Sequence, residues 1–201
     1  MSRRQEPTQD TSPPPPRWIS SIPMTITWIR IALVPVFVTI FYLPIPNSSI
    51  LCLTIFLFAS FSDYLDGYLA RKWNCTSSFG SFLDPVADKL LVSIAFILLT
   101  ARKGGILLPI CTSLIVSREI FVSAWREWMT AIGKRESVSV GIWGKWKTTL
   151  QMAAISLSLL DMKYPIFGLS SGITCVVATI LSIYSAWNYI HKATSSSTFV
   201  P

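Results

Sequence analysis

With 201 residues, 51% of them hydrophobic and only 13% charged, the chain has too little polar surface for an ordinary water-soluble globule. The net charge of +7 raises nucleic acid as a partner. The basic residues, however, stand at the ends of apolar stretches with no interleaved aromatic platform for bases, which excludes nucleic acid and points to a bilayer. In chain order, residues 1–20 are polar and carry the Pro13–Pro16 run, so a disordered proline-rich tail is expected there. Six apolar stretches follow, at roughly 24–44, 49–71, 81–101, 105–128, 146–162 and 166–190, each close to the ~20 residues a membrane helix needs. The expected fold is therefore all-α, a polytopic membrane protein with six transmembrane helices over residues 21–192 and a short C-terminal tail at 193–201. No small-residue cleavage site follows the first stretch, so it reads as a retained helix and not as a signal segment.

Charge sets the expected orientation. With both termini cytoplasmic, Arg3, Arg4, Arg17, Arg71, Lys72, Arg126, Lys134, Arg135, Lys145, Lys147 and Lys192 fall inside, and Arg102, Lys103 and Lys163 fall outside. The cysteines, Cys52, Cys75, Cys111 and Cys175, lack metal-finger or redox spacing and read as small apolar packing residues. His191, at the C-terminal end, reads as a solvated terminus.

The second and third stretches carry Asp63, Asp66, Asp84 and Asp88, although one such residue at a membrane helix centre costs about 2.5–3.5 kcal/mol. Asp63 and Asp66, like Asp84 and Asp88, are separated by three or four residues and so share a helix face. Counted from the shared turn, Asp63 and Asp88 lie equally deep, roughly 12 Å at about 1.5 Å per residue, so an antiparallel pair holds all four carboxylates near one level. Such a cluster repels itself unless cations neutralise it, and hard oxygen ligands suit Mg²⁺ or Mn²⁺, with two divalent ions expected. Gly67, Ala70 and Gly80 leave room for a bulky ligand beside the carboxylates, and Arg71 adds positive charge. Pro85 is expected in the first turn of its helix, where its missing N–H does no harm.

The run Asp63-x-x-Asp66-Gly67-x-x-Ala70-Arg71, then eight residues, then Gly80-x-x-x-Asp84-x-x-x-Asp88, resembles the complete signature of the CDP-alcohol phosphotransferases. Further likeness lies in Ile22-Pro23, Thr27, Arg30, Pro35, Arg118-Glu119, Arg126-Glu127-Trp128-Met129, Gly133-Lys134-Arg135 and Gly144-Lys145-Trp146-Lys147-Thr148-Thr149. These are similar to bacterial members of that family whose acceptor is glycerol 3-phosphate, over roughly residues 21–190; Ser21 and Met24 stand where relatives usually carry Asn. The resemblance implies a homodimeric enzyme of the bacterial inner membrane, with its site facing the cytoplasm. It implies two divalent cations held by Asp63, Asp66, Asp84 and Asp88, the last also acting as catalytic base. It further implies CDP-diacylglycerol bound through Asp66, Gly67, Ala70, Arg71, Gly80 and Thr27, with membrane lipids around the bundle.

An acceptor with its own phosphate needs basic residues near the carboxylates. Arg118, well inside the fourth stretch where a topology anchor does not belong, is the first candidate; the alternative is that it pairs with the aspartates or with Glu119. Arg126, Lys145 and Arg30 are the further candidates, although attraction to anionic headgroups also explains basic residues on the connection around Lys134 and Lys147. The expected reaction is transfer of a phosphatidyl group to glycerol 3-phosphate, with inositol phosphate, serine or phosphatidylglycerol as the rival acceptors. A divalent-cation transporter is the reading from another class. It fits poorly, because the outer halves of the aspartate-bearing stretches, such as Ile94 to Leu99, are plainly apolar.

Overall fold

In lipid no water is present to bond the backbone, so an apolar chain satisfies its N–H and C=O groups within each segment, as helix. The computed structural model describes residues 17–72, 78–131 and 142–195; the side chains of 17–23, 63–72, 78–82, 84–85, 142–145 and 192–195 lie outside that description. The helices are α1 (Arg17–Tyr42), α2 (Ser48–Lys72), α3 (Ser78–Lys103), α4 (Leu107–Ala131), α5 (Ile142–Asp161) and α6 (Gly168–Ser195), with a 3-10 turn at Pro165–Phe167 before the last. No strand occurs among the described residues. Helices of 20 to 28 residues are about 30 to 42 Å long, enough to cross a hydrocarbon core of ~30 Å. Among the described residues, Met24–Tyr42, Leu107–Ala131 and Pro165–His191 are long and apolar enough to qualify on composition alone, and Ser48–Ser62 is a shorter apolar helix.

Two local expectations are corrected. Helix α3 begins at Ser78, so Pro85 stands about two turns inside it and not in its first turn; lacking an N–H, it cannot bond the Ser81 carbonyl, which is left for another donor. Helix α5 begins at Ile142, so Lys145 and Lys147 are helical residues and not part of the connection, which is confined to 132–141 and lies outside the described residues.

Alternate helices run in opposite directions. Helix α5 packs most extensively on α6 and also meets α2 and α3; α1 packs on α2 and α3, and α4 on α6 and α3. Phe37 and Phe41 from α1, Phe56 from α2, Phe96 and Leu99 from α3, Ile115 from α4 and Ile155 from α5 fill a core common to the bundle. Cys52, Cys111 and Cys175 are buried free thiols in that core, the packing role expected of them, and Cys75 lies outside the described residues. Leu57, Phe58, Phe61, Ile97, Ile120, Phe121, Ile180 and Trp187 point outward and are exposed, an apolar mantle too extensive for a water-facing monomer and suited to lipid. Several hydroxyls within the helices bond back to their own turns, as Ser60 does to the Phe56 carbonyl (2.8 Å) and Thr179 to that of Cys175 (2.8 Å), whereas the buried hydroxyls of Thr112 and Ser182 have no hydrogen-bond partner among the described residues.

The connections α1–α2, α3–α4 and α5–α6 meet at one end, called the far end here. Gly104 (φ 60°) and Gly105 (φ 82°) turn the chain out of α3 in the left-handed region that favours glycine. Arg102 donates to the Phe41 carbonyl (2.7 Å), Lys103 donates to Ser171 (3.1 Å) and pairs with Asp161, and Lys163 donates to Asn47. A Cβ on Gly168 would lie 3.0 Å from Asp161 Oδ1, so that carboxylate sits against the start of α6, where the helix dipole favours negative charge.

Candidate active site

The signature aspartates occupy the opposite end. Asp63, Asp66, Gly67, Ala70 and Arg71 belong to the last turns of α2, and Gly80, Asp84 and Asp88 to the first turns of α3. Asp63 is nine residues from the end of α2 and Asp88 ten from the start of α3, rises of about 14 and 15 Å. Apart from Asp88, the side chains of this set lie outside the described residues; Asp88 is half-buried and engaged with a neighbour. Among the described residues, no three His, Cys, Asp or Glu side chains gather as metal ligands.

Interhelical bonds set the register of the remaining candidates. Cys52 Sγ lies 3.9 Å from the Phe37 carbonyl, and these two helices are antiparallel. Ten residues from each toward the aspartate end, Thr27 on α1 comes level with Ser62 on α2, next to Asp63. Helices α1 and α3 run the same way, and the Arg102–Phe41 bond brings Asp88 level with Thr27 to within about one turn. Thr27 and Arg30 are both buried, with interaction partners, and continue the inward face of Phe37 and Phe41 at three- and four-residue steps.

Helices α4 and α5 bring cations to the same level. The Lys103–Asp161 pair fixes α3 against α5, and fourteen residues toward the aspartate end on each lie Lys89 and Lys147. Lys89, beside Asp88, bonds Ser123 of α4. One turn along α4 from Ser123, Glu119 Oε1 accepts from Arg118 Nη1 (3.2 Å), from Lys147 Nζ and from Gln151 Nε2 (3.2 Å). Lys147 and Gln151 are buried at 8% and 3% exposure, and Arg118 and Glu119 are mostly buried. The charges of Arg118, Glu119, Arg126 and Asp88 all act on Lys89, so these groups form one electrostatic unit. Arg118 thus makes the Glu119 pairing that was the alternative to a phosphate role. That bond uses one edge of its guanidinium; the buried Nε has no hydrogen-bond partner among the described residues. Arg126 is exposed near the end of α4, and Lys145 lies in the first turn of α5 with its side chain outside the described residues.

Sequence reasoning passed over Lys89, Gln151 and the burial of Lys147. The signal was periodicity: Lys147, Gln151, Ala154, Ile155, Ser158 and Leu159 are all buried at three- and four-residue steps, so the two polar residues extend the apolar stripe of α5 inward.

Fold and site together define a polytopic membrane protein whose polar centre, inside one end of a six-helix bundle, has carboxylate positions on α2 and α3 and cations on α3, α4 and α5. A family profile described as CDP-alcohol phosphatidyltransferase matches residues 20–185, and the chain belongs to that family. A Haemophilus influenzae protein is 43% identical over 176 residues, covering 88% of this chain and 95% of its own length. One from Pectobacterium atrosepticum is 43% identical over 176 residues, covering 86% and 94%, and one from Yersinia enterocolitica is 40% identical over 173 residues, covering 86% and 94%. All three relatives carry the name CDP-diacylglycerol–glycerol-3-phosphate 3-phosphatidyltransferase.

Proposed function

We propose that the protein transfers the phosphatidyl group of CDP-diacylglycerol to glycerol 3-phosphate, forming phosphatidylglycerophosphate and CMP. The observation that carries the choice of acceptor is the set of Arg118, Lys147 and the half-buried Lys89 at the level of the aspartate positions: zwitterionic serine, with one carboxylate, matches three cations less well than an acceptor with its own dianionic phosphate. The names of the relatives, at about 40% identity over most of the chain, support the same reaction.

The donor set of Asp63, Asp66, Asp84 and Asp88 is all carboxylate oxygen, which fits two hard divalent cations, Mg²⁺ or Mn²⁺. When bound, such ions supply positive charge to the diphosphate of the CDP-lipid. Asp88 accepts the proton of the acceptor hydroxyl as its oxygen bonds to the phosphorus nearer the diacylglycerol and the bond from that phosphorus to the CMP oxygen breaks. Gly67, Ala70 and Gly80 leave space for the cytidine headgroup, with Arg71 and Thr27 beside it, and Arg118, with Arg126, Lys145 and Arg30, holds the acceptor's phosphate. The enzyme works as a homodimer in a bacterial inner membrane with this end toward the cytoplasm, where both soluble partners are found.

Purified protein supplied with CDP-diacylglycerol, Mg²⁺ and radiolabelled acceptors tests the reading. Glycerol 3-phosphate is the expected substrate, with release of one CMP per lipid formed; turnover with serine, inositol phosphate or phosphatidylglycerol in its place overturns the acceptor assignment while keeping the reaction class.

A further inference from the structure

We infer that Glu119 is a positioning residue that holds Arg118 and Lys147 in a phosphate-ready arrangement before the acceptor arrives, and so sets the enzyme's selectivity for phosphorylated alcohols. The inference rests on the proposed acceptor reading and adds to it a carboxylate that touches neither substrate.

One oxygen, Glu119 Oε1, accepts from donors on two helices: Arg118 of α4, and Lys147 and Gln151 of α5. Arg118 and Lys147 are cations drawn to a single point. Without the carboxylate they repel each other, and their long side chains turn away from one another. With it they are held a few ångströms apart, a spacing that suits two oxygens of one phosphate. The arrangement is not a balanced structural ion pair. Two cations share one carboxylate, and Lys89, one turn away on Ser123, adds a third positive charge. Among the described residues Asp88 offsets the charge of Lys89, and Arg118 and Lys147 still share one carboxylate; burial of that excess positive charge is costly, so an anion completes the cluster. Arg118 supports this directly, since its buried Nε keeps a donor without a partner among the described residues after Glu119 is satisfied. Gln151 adds a neutral donor that fixes the carboxylate without changing the charge. Lys89 is the neighbour of Asp88 in the chain, so the ordered cations place the acceptor close to the proposed base.

The test compares the full-length wild type with Glu119→Gln and Glu119→Asp, with KM for glycerol 3-phosphate and for CDP-diacylglycerol, kcat and thermal stability measured for each. Wild-type turnover with glycerol 3-phosphate checks the acceptor reading by itself, and the ratios of variant to wild type check the positioning. Glu119→Gln is expected to raise KM for glycerol 3-phosphate about tenfold, because the amide cannot hold two cations together, while KM for CDP-diacylglycerol and kcat stay within about threefold. Inorganic phosphate should weaken as a competitive inhibitor by a similar factor. Glu119→Asp keeps the charge and should recover part of the loss, and thermal stability measured for both variants separates a change in affinity from a loss of fold. A parallel fall in stability and kcat with both KM values unchanged would show a merely structural pair. Tighter binding of phosphate by Glu119→Gln would show that the carboxylate competes with the ligand and does not prepare its site. Either result overturns the inference.

Discussion

The two ends of the bundle use the same kinds of side chain to different effect. At the far end Lys103 has its own carboxylate, Asp161, which also faces the start of α6, and the neighbouring bonds of Arg102 and Lys163 end on a carbonyl and an amide of adjacent connections. Lys103 is paired with a carboxylate of its own, the other two cations end on neutral acceptors, and together these bonds tie the short connections of that end. At the aspartate end Glu119 is shared by Arg118, Lys147 and Gln151, Lys89 lies one turn away, and the carboxylate positions of α2 and α3 sit at the same level. A cation with its own carboxylate or a neutral acceptor is a clasp that is complete in itself. A carboxylate shared by two cations, with Lys89 and Asp88 side by side on α3, concentrates charge of both signs at one level of the bundle.

The largest expected effect breaks the acidic side. Asp63→Asn or Asp66→Asn should abolish transfer and weaken Mn²⁺ binding in a direct titration while the protein still folds, since one lost carboxylate leaves a divalent ion under-ligated. Full activity in excess chelator would remove the metal from the account. Next in size, Asp88→Asn should retain much of the CDP-diacylglycerol affinity and lose turnover by about 10²–10⁴-fold, the usual contribution of a general base. Affinity and rate measured on one preparation decide it: if both collapse together, Asp88 is chiefly a ligand.

On the basic side, Arg118→Ala should raise KM for glycerol 3-phosphate about tenfold or more, with a much smaller change for CDP-diacylglycerol, because a charge-assisted bond to phosphate contributes about 1.5–3 kcal/mol. An equal change for both substrates assigns Arg118 to the diphosphate or to the scaffold. The smallest effect on catalysis is expected at the far end. Lys103→Met should leave both KM values unchanged and lower stability in detergent by on the order of 1–3 kcal/mol, because Asp161 loses its cation in a partly wet setting. Removing both charges, as Lys103→Met with Asp161→Leu, should restore much of that loss. A large fall in kcat from the far-end variants would mean that the two ends are coupled, and the contrast between clasp and site would not hold.

Much of this was legible in the chain. Six apolar stretches at bilayer length require helices, because lipid offers the backbone no other partner, and α1 to α6 follow them to within a few residues at most ends. Asp63, Asp66, Asp84 and Asp88 stand out because a carboxylate in an apolar helix is costly, and their three- and four-residue spacing puts each pair on one face of its helix. Pairing between helices was not legible, because it depends on register and rotation, which local periodicity does not carry. Lys147 shows the difference. By its neighbours Trp146 and Thr148 it reads as one more basic residue near a membrane surface, and only the packing of α5 on α6, α2 and α3 turns it inward, where its side chain reaches Glu119 of α4. Lys89 is likewise one more lysine beside Asp88 until α4 brings Ser123 to it. The sequence by itself determined the solvent, the helices and the acidic residues, because these follow from hydrophobicity and spacing along a single segment. Tertiary structure alone decided which cations share a carboxylate and which have their own, because a charge is matched or unmatched only with respect to the helices that pack around it.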